Sequence, residues 1–363
     1  LMVKYVVASF TSNLGVMLKA GLPITKAMTI TVNSIENIPI MEQMLVIRED
    51  VEGRTIYGIA VPYDKEQRVA GDTTEVFRKG AFADVLKAAQ IAFEDNIAFP
   101  ILLGNKEIIL ELKEEIGFFA EVPIYDPKTN EEDKRRNEYA EIFWNSRQRR
   151  GISLLDSQKW MRERNYFAAM MVNQGHADAM VSGYSRSYPS IIKPILQLID
   201  KAPGISLVAT TNMMMTNRGP MFLSDTAINP NPSADDLAKI ALMTAKTVRM
   251  FGIEPVIAMI SFSNFGSSNN PSTNKVRDAV KFLHDNHPEL QVDGEIQADF
   301  ALNSEMLKNK FPFSKLAGKK VNTLIFPNLE SANITYKLLK ELYKVDSIGP
   351  IMLGMDKPVH IFQ

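Results

Sequence analysis

The chain has 363 residues, 45% of them hydrophobic, which is enough for two or three compact lobes with apolar cores. Its 41 basic and 42 acidic residues leave no net field to attract a polyanion, so nucleic acid and anionic membrane surfaces are poor candidates for partners. The absence of cysteine excludes disulfides and thiolate chemistry, and it fits a cytoplasmic protein. Composition therefore favours small-molecule chemistry.

Neither a membrane span nor a metal centre is predicted. Lysines interrupt every apolar run near the N-terminus before it reaches spanning length, and no basic-then-apolar signal pattern is present. The histidines share no ligand spacing with carboxylates: His176, His284, His287 and His360.

Residues 1–40 are predicted to form a helical hairpin segment. Apolar residues recur on one helical face from Phe10, Gly21-Leu22-Pro23 breaks the pattern, and a second helical run follows from Ile24 to Val32. The stretch from Phe10 to Ala27 resembles one hairpin of the inner-membrane F family of type II secretion and pilus assembly. A generic helical hairpin is the alternative.

Residues 41–83 are predicted to form a β segment. Met44 to Ile47 and Thr55 to Val61 are rich in strand-forming residues, and the acidic, glycine-containing stretch between them reads as a hairpin turn. Tyr57 to Pro62 and Phe77 to Phe82 are similar to the opening strands of phage prohead proteases. Nothing after residue 84 continues that pattern, so protease activity is not expected, and a generic β-hairpin is the alternative.

From Val85 onward, strand-like and helical patterns alternate, which predicts βαβ units with mostly parallel sheets. The predicted strands are Pro100 to Gly104, Ala179 to Ser182, Ser206 to Thr210, Pro255 to Ser261 and Val321 to Phe326. The predicted helices are Val85 to Phe93, Ile191 to Ile199, Ala234 to Phe251, Ser272 to His284 and Asn333 to Leu342. The chain from residue 84 is therefore expected to be an α/β protein.

Six ordered blocks in this region resemble the phosphate acetyltransferase family. They are Arg147 to Gly151, Asp178 to Gly183, Asp225 to Pro232, Ser261 to Ser267, Val292 to Asp299 and Ile325 to Asn333. The resemblance implies a two-lobed fold, like that of isocitrate dehydrogenase, with a cleft between the lobes. The first lobe would span 84–203 and 350–363, and the second 204–349. The family's first strand should precede the Val85 helix, and Thr74 to Arg78 is the expected substitute for it.

Two serine-glycine turns are candidate anion sites, because each follows a strand and offers backbone N–H groups and hydroxyls. Read without the resemblance, the first turn is an ordinary strand-to-helix connection and the second a surface loop. With the resemblance, both are predicted to contact phosphate or CoA. The residues assigned to this role are Ser182, Gly183, Ser185, Ser261, Ser263, Gly266 and Ser267.

The resemblance also assigns two cationic side chains to that site. The family uses an arginine at the position of Arg147 to hold phosphate or the CoA diphosphate, although a basic run at a helix end is often only a solvated cap. Lys193 stands where the family has another arginine, and it keeps the charge but loses the bidentate fork.

Polar residues in two further blocks are predicted to line the cleft. Alternating acids along a strand are most often a solvated strand face, and the other block follows the strand that ends at Phe326. The residues are Asp293, Glu295, Gln297 and Asp299, together with Asn328, Ser331 and Asn333.

The catalytic signature is altered. Family enzymes deprotonate the CoA thiol and stabilise an anionic transition state, with the Ser and Arg donors in a K-P-x-N-D-L-S-R-G segment. Here Lys357-Pro358 leads into Val359, His360, Ile361, Phe362 and Gln363, so Gln363 takes the serine position and the catalytic residues are unknown.

The leading hypothesis is a regulatory, catalytically impaired acyl-CoA-binding domain of a bacterial malic enzyme. The residues from Gly354 to His360 resemble the acetyltransferase-like domains that are fused to such enzymes. An active phosphate acyltransferase is the alternative, and a phage or secretion scaffold is a distant third. The implied ligands are acetyl-CoA or another acyl-CoA, and phosphate. No tightly bound cofactor is expected, NADP and a divalent metal would belong to a separate malic-enzyme half, and a homo-oligomer is implied.

Overall fold

The computed structural model describes residues 56–59, 67–68, 74–75, 83–96, 98–183 and 188–362. At 56–59, 67–68, 74–75, 83–84, 189 and 362 the description covers the backbone alone. The predicted helical hairpin of residues 1–40, the predicted strand Met44 to Ile47 and the turn after it all lie outside the described residues.

The described strands, in chain order, are β1 (Ile56–Ile59), β2 (Gln67–Arg68), β3 (Thr74–Glu75), β4 (Pro100–Leu103), β5 (Ile124–Tyr125), β6 (Ala179–Gly183), β7 (Ala209–Thr216), β8 (Gly219–Ser224), β9 (Val256–Ile260), β10 (Gln291–Ile296), β11 (Thr323–Ile325), β12 (Ser347–Leu353) and β13 (Val359–Phe362). The described α-helices are α1 (Ala83–Glu94), α2 (Lys106–Ile116), α3 (Asp133–Arg147), α4 (Leu154–Trp160), α5 (Arg164–Asn173), α6 (Tyr188–Leu198), α7 (Ala234–Met250), α8 (Pro271–Asn286), α9 (Ala298–Leu302), α10 (Ser304–Lys310) and α11 (Leu329–Tyr343). Short 3-10 turns lie at Asn130–Glu132 and Gln148–Arg150.

Several helices begin where local chemistry predicts. Ser153 and Ser233 form capping boxes with the aspartates three residues later, and Asn270 caps α8, which starts with Pro271. Gly117 ends α2 in the left-handed conformation, with φ 75°, where its N–H reaches the last carbonyls of the helix.

The described residues divide into two compact units, the first formed by those up to residue 200 and from residue 355 onward, the second by residues 201–354. In the first unit a five-stranded sheet has the order β13-β6-β1-β4-β5, and every described pairing is parallel. Ile101 and Leu103 pack in a core that includes most of α5, whereas Leu102 packs with residues of α1 and α2. Because neighbouring strand residues point to opposite faces, helices cover both faces of this sheet.

The central strand of the first sheet comes from the segment that precedes the predicted acetyltransferase-like region. β1 pairs with β4 on one side, from Ile56 opposite Pro100 to Ile59 opposite Leu103, and with β6 on the other. The predicted substitute strand is wrong in its described part, because Thr74–Glu75 pairs with Gln67–Arg68 in a separate antiparallel ladder. A strand with parallel neighbours on both sides favours an apolar run, which Ile56–Ile59 offers and Thr74–Glu75 does not.

The second unit is built on a six-stranded sheet with the order β10-β9-β11-β8-β7-β12. The strands β10, β9, β11 and β8 are parallel, while β7 and β12 run antiparallel to their neighbours. The predicted strand Ser206 to Thr210 actually begins at Ala209 and continues to Thr216, where it turns back into β8. Gly219, with φ 99°, receives the chain after that tight turn. The predicted α/β class is confirmed in both units.

Candidate functional site

The second unit gathers loops at one edge of its sheet. Because β8, β9, β10 and β11 are parallel, their carboxyl ends at Ser224, Ile260, Ile296 and Ile325 share that edge. The loops are tied to each other: the Phe326 N–H donates to the Ser224 carbonyl at 2.8 Å. Ligands of open α/β sheets bind outside this edge, so a functional site is expected there.

Asp225, the first residue after β8, is the hub of one of these loops. Its side chain is 3% exposed and accepts hydrogen bonds from the Thr210 N–H at 3.1 Å and hydroxyl at 2.5 Å. It also accepts from the backbone N–H groups of Ala227, Ile228 and Asn229 at 3.1, 3.3 and 2.8 Å. A carboxylate with this many donors fixes the loop conformation. Asp225 opens one of the blocks that resemble the family, Asp225 to Pro232, but it is not among the predicted site residues.

Glu295 organises a second loop. Its side chain is 0% exposed, and it accepts from the Ser263 hydroxyl at 2.9 Å and from the Gly266 N–H at 2.7 Å. Arg277 of α8 adds two hydrogen bonds, from Nη2 at 3.0 Å and Nε at 3.1 Å. Burial by itself would raise the pKa of Glu295, but the Arg277 guanidinium, the Gly266 N–H and the Ser263 hydroxyl together hold that pKa below its usual range.

The predicted anion-binding turn after β9 thus surrounds the carboxylate of Glu295, an anion of the protein itself. Ser263 also shares a hydrogen bond of 3.0 Å with the Ser267 hydroxyl, and the Ser261 hydroxyl accepts from the Ser263 N–H at 3.3 Å. The donors of Ser263 and Gly266 are therefore engaged by Glu295, 29 or more residues further along the chain. Contact of this turn with phosphate or CoA stays a prediction.

The acidic strand β10 is not a solvated face. Asp293 is 6% exposed, and its Oδ2 accepts from the Ser314 hydroxyl and the Lys315 N–H, both at 2.8 Å. A register shift between Gly294 and Ile296 separates Asp293 from Glu295, so the two carboxylates find different partners. The interpretation of these acids as a wet strand face is therefore wrong, and their predicted role in lining a cleft is not tested by these contacts.

The two polar residues after β10 differ in exposure. Gln297 holds the preceding loop through its Nε2, which donates to the Phe262 carbonyl at 2.6 Å, and through a bond of 2.7 Å from Asn264. Asp299 lies exposed in the first turn of α9. Of the two, Gln297 is joined to the serine turn.

The third predicted block caps a helix. Asn328 is the N-cap of α11 and accepts from the Ser331 N–H at 2.9 Å, while the Ser331 hydroxyl donates back to the Asn328 carbonyl at 3.0 Å. Asn333 donates from Nδ2 to the Thr226 carbonyl at 3.0 Å. This contact ties α11 to the Asp225 loop at the same sheet edge.

In the first unit, the serine-glycine pair at the end of β6 uses a neutral partner. The Ser182 hydroxyl donates to Oδ1 of Asn165 at 2.8 Å, and the two residues are 6% and 7% exposed. Gly183 ends the strand with φ 139°, a conformation that favours glycine. Ser185 lies outside the described residues, as does Gln363.

The two predicted cations of the first unit lie on its helices. Arg147 ends α3 and donates from Nη2 to the Gln197 carbonyl near the end of α6. Burial lowers the pKa of Arg147 and nearby Arg150 lowers it further, while Asp200 acts in the opposite direction. Lys193 is on the exposed face of α6, with its Nζ 5.7 Å from the centroid of the Trp160 ring. Each cation thus has an identified structural contact.

The described residues offer neither a metal-binding cluster nor a membrane-spanning helix. Among them, no group of three or more histidine, aspartate or glutamate side chains is placed to hold a metal ion. None of the helices in the described part of the chain has both the length and the apolar character needed to cross a bilayer.

Comparison with known proteins agrees with this architecture. The chain is 37% identical over 292 residues to a phosphate acetyltransferase of Thermoanaerobacterium thermosaccharolyticum, which covers 78% of this chain and 88% of that protein. It is 35% identical to the NADP-dependent malic enzyme of Escherichia coli, with 79% of this chain matched to 38% of that protein. A phosphotransacetylase structure from Streptococcus pyogenes superposes with a TM-score of 0.71 at 34% identity, covering 89% of this chain and 92% of that one.

The family assignment extends further toward the N-terminus than the motifs indicated. The match to the family described as Phosphate acetyl/butaryl transferase covers residues 65–363, whereas the motifs placed the start near residue 84. A match over this much of the chain, together with relatives at this level of identity, establishes membership. The chain therefore belongs to the phosphate acetyl/butyryl transferase family.

Proposed function

We propose that this protein is an active phosphate acyltransferase that moves an acetyl group between CoA and phosphate. The observation that carries the proposal is the extent of similarity to phosphate acetyltransferases, which reaches 88% and 84% of the length of two such relatives at 37% and 36% identity. The malic enzymes are matched over 38% of their length. The larger matched share of the acetyltransferases favours the active-enzyme hypothesis over the regulatory-domain hypothesis that the residues from Gly354 to His360 suggested.

The reaction needs no redox partner. A phosphate oxygen attacks the thioester carbonyl of acetyl-CoA, the carbon–sulfur bond breaks, and the CoA sulfur leaves as a thiolate that takes up a proton. The products are acetyl phosphate and CoA. Negative charge develops on the carbonyl oxygen and on sulfur, so a site with fixed donors and a nearby cation would accelerate the step.

The sheet edge of the second unit holds its loops rigidly and carries a cation, Lys275. Asp225 and Glu295 are saturated with hydrogen bonds, so their role in this proposal is to hold the loops rather than to move protons. Lys275 of α8 donates to Oδ1 of Asn231 at 2.7 Å and to the Pro232 carbonyl at 3.0 Å, both neutral groups. Burial lowers the pKa of Lys275. A partly buried ammonium with neutral acceptors is suited to attract a phosphate group.

Activity can be tested by following acetylation of CoA by acetyl phosphate. We expect the wild-type protein to turn over, and we expect Lys275→Ala to raise the KM for acetyl phosphate because it removes a charge near the anion. Lys239→Ala is the matched control, since Lys239 is an exposed lysine on the neighbouring helix α7 paired with Asp235 at 2.6 Å. Absence of turnover with acetyl, propionyl and butyryl substrates would refute the proposal.

A regulatory acyl-CoA-binding domain remains the second candidate, because malic enzymes at 33–35% identity are among the relatives. That hypothesis requires acetyl-CoA binding without turnover, which calorimetry on the same preparation measures. In either case Arg147→Ala should weaken acetyl-CoA binding by roughly 10- to 150-fold if Arg147 donates a charge-assisted hydrogen bond to the ligand. A cytoplasmic location belongs to both candidates.

A further inference from the structure

Lys275 of α8 has an unusual environment for a lysine. Its Nζ donates to Oδ1 of Asn231 at 2.7 Å and to the Pro232 carbonyl at 3.0 Å. Both acceptors are neutral, and among the described residues none of its hydrogen bonds or ion pairs goes to a carboxylate. Burial lowers the pKa of Lys275, so its neutral amine is more populated than that of an ordinary lysine.

The geometry of these two bonds leaves the Lys275 nitrogen able to react. An ammonium has three N–H groups, and no third acceptor lies within hydrogen-bond distance of Nζ in the described part of the chain. When the third proton leaves, both hydrogen bonds can stay and a lone pair takes the place of that proton. The side chain is half-buried and its bond to Asn231 is exposed, so a small molecule can reach the nitrogen.

Lys275 also lies beside both loops of the sheet edge. Its two acceptors belong to the loop that runs from Asp225, after β8, to Ser233 at the start of α7. Helix α8 itself begins directly after the serine turn that follows β9. The charged form of Lys275 is suited to hold the phosphate group of an acyl phosphate. The carbonyl carbon of such a molecule is bonded to a phosphate oxygen, so binding of the phosphate brings that carbon close to the nitrogen.

We propose that Lys275 is a self-acylation site, which takes its acyl group from acetyl phosphate or a similar small acyl phosphate. The lone pair of Nζ attacks the carbonyl carbon, the bond from that carbon to the phosphate oxygen breaks, and inorganic phosphate leaves with the electron pair. The nitrogen releases one proton to water and becomes a neutral amide. The inference rests on the proposed function, which makes the acyl phosphate. Acylation would let this product remove a charge that helps to bind it.

Two other lysines show what the site requires. Lys239 of α7 is accessible, but it donates to the carboxylate of Asp235 at 2.6 Å instead of to neutral groups. Lys113 of α2 donates to the neutral Ala120 carbonyl at 2.6 Å, and burial lowers its pKa, but the residue is only 6% exposed. Lys275 combines the neutral acceptors of the one with the access of the other.

Peptide mass spectrometry of the full chain after incubation with acetyl phosphate tests the site without requiring turnover. We expect acetylation of Lys275 to be roughly tenfold or more faster than that of Lys239 in the same sample, because binding of the donor adds proximity to the reactivity of the lone pair. In protein unfolded in urea, the two rates should become similar. Equal rates in the folded protein, or a difference that persists in urea, overturn the proposal.

Inorganic phosphate tests whether the donor is bound before it reacts. It should slow the acetylation of Lys275 and leave that of Lys239 unchanged, and a lack of protection would contradict a bound donor. Acetyl-CoA with phosphate supplies the donor only through turnover. A preparation that is acetylated by acetyl phosphate, but not by acetyl-CoA with phosphate, has the self-acylation site and lacks the proposed activity. A preparation that makes acetyl phosphate and leaves Lys275 unmodified has the activity and refutes self-acylation.

Discussion

Ser182 lies at the end of β6 and Ser263 in the loop after β9, so both lie near the carboxyl end of a strand with parallel neighbours, yet their hydroxyls bind different kinds of acceptor. Ser182 in the first unit donates to a neutral amide, Asn165. Ser263 in the second donates to a carboxylate, Glu295, which also carries an ion pair with Arg277. Both segments combine serine with glycine, although in different orders and spacings, and the acceptor of each hydroxyl is supplied by a neighbouring element.

This difference has consequences for stability. A hydrogen bond between neutral groups contributes about 1 kcal/mol, while a buried charge that loses its partner is far more costly. The second unit should therefore be the more sensitive of the two to changes at its turn. The chain also allows the units to be followed separately, because both tryptophans, Trp144 and Trp160, lie in the first unit.

The largest effect is expected for Arg277→Ala, which leaves the carboxylate of Glu295 buried without its cation. Breaking a buried pair costs about 3 to 5 kcal/mol, and we take the lower end because the Arg277 side chain is 40% exposed. Hydrogen exchange of α8, β9 and β10 should accelerate by a factor that corresponds to this loss. Tryptophan fluorescence, which reports the first unit, should show an unchanged urea midpoint.

The control for this variant is Arg249→Ala, which removes an exposed partner from Glu254 at 3.2 Å. Surface pairs of this kind contribute between 0 and about 1 kcal/mol. Equal losses in the two variants would mean that burial of Glu295 has no energetic weight, and the contrast between the turns would then be only geometric.

The elements predicted correctly from sequence share a strong local signal. The helix Ala234–Met250 has a serine cap and a long amphipathic pattern, and the apolar run of β9 is bounded by polar residues. Within each unit, the turn sequences placed a serine near the end of a strand, Ser182 at β6 and Ser263 shortly after β9, where the structure has them.

What could not be predicted depends on distant partners. β1 pairs with residues that follow it by more than forty positions, and its sequence alone does not name them. Glu295 meets Arg277 across 18 residues and Ser263 across 32, so alternation along β10 indicated solvent where the structure has a buried pair. Asp225 likewise gains its Thr210 partner through the β7–β8 hairpin. Local patterns specify elements, whereas the acceptor that a side chain meets is set by strand order.

Lowering the pH should affect the stability of the two units differently, because His360 of β13 titrates in the first unit. Burial lowers the pKa of this histidine from 6.5 to about 4. Between these values the unfolded chain binds a proton that the folded unit does not, so stability falls as pH falls from 6.5 towards 4. The full shift corresponds to about 3 kcal/mol, at about 1.4 kcal/mol per pKa unit. The depressed pKa of Glu295 acts in a lower window, so its contribution is lost only below the ordinary Glu pKa of about 4.3.

Urea unfolding followed by tryptophan fluorescence at several pH values measures the His360 effect in the first unit. His360→Gln removes the titrating group while keeping a polar side chain of similar size, so its midpoint should change little with pH in this range. Parallel curves for wild type and His360→Gln would show that another group is responsible for the acid sensitivity.

The smallest expected effect compares the two turn hydroxyls directly, through Ser182→Ala and Ser263→Ala. Both changes remove a single oxygen from a side chain that is at most 6% exposed, so the packing lost is the same. Ser182→Ala should cost about 1 kcal/mol, because its acceptor is the neutral Asn165 amide, whereas Ser263→Ala should cost about 1.5 to 3 kcal/mol, because its acceptor is charged. Hydrogen exchange of β6 in the first variant and of β10 in the second measures each loss in its own unit.

Since Glu295 keeps the Gly266 N–H and Arg277 after the serine is lost, the upper value would be reached only if those donors cannot move closer. A loss at Ser182 equal to or larger than that at Ser263 would show that the charge of the acceptor does not set the strength of these turns.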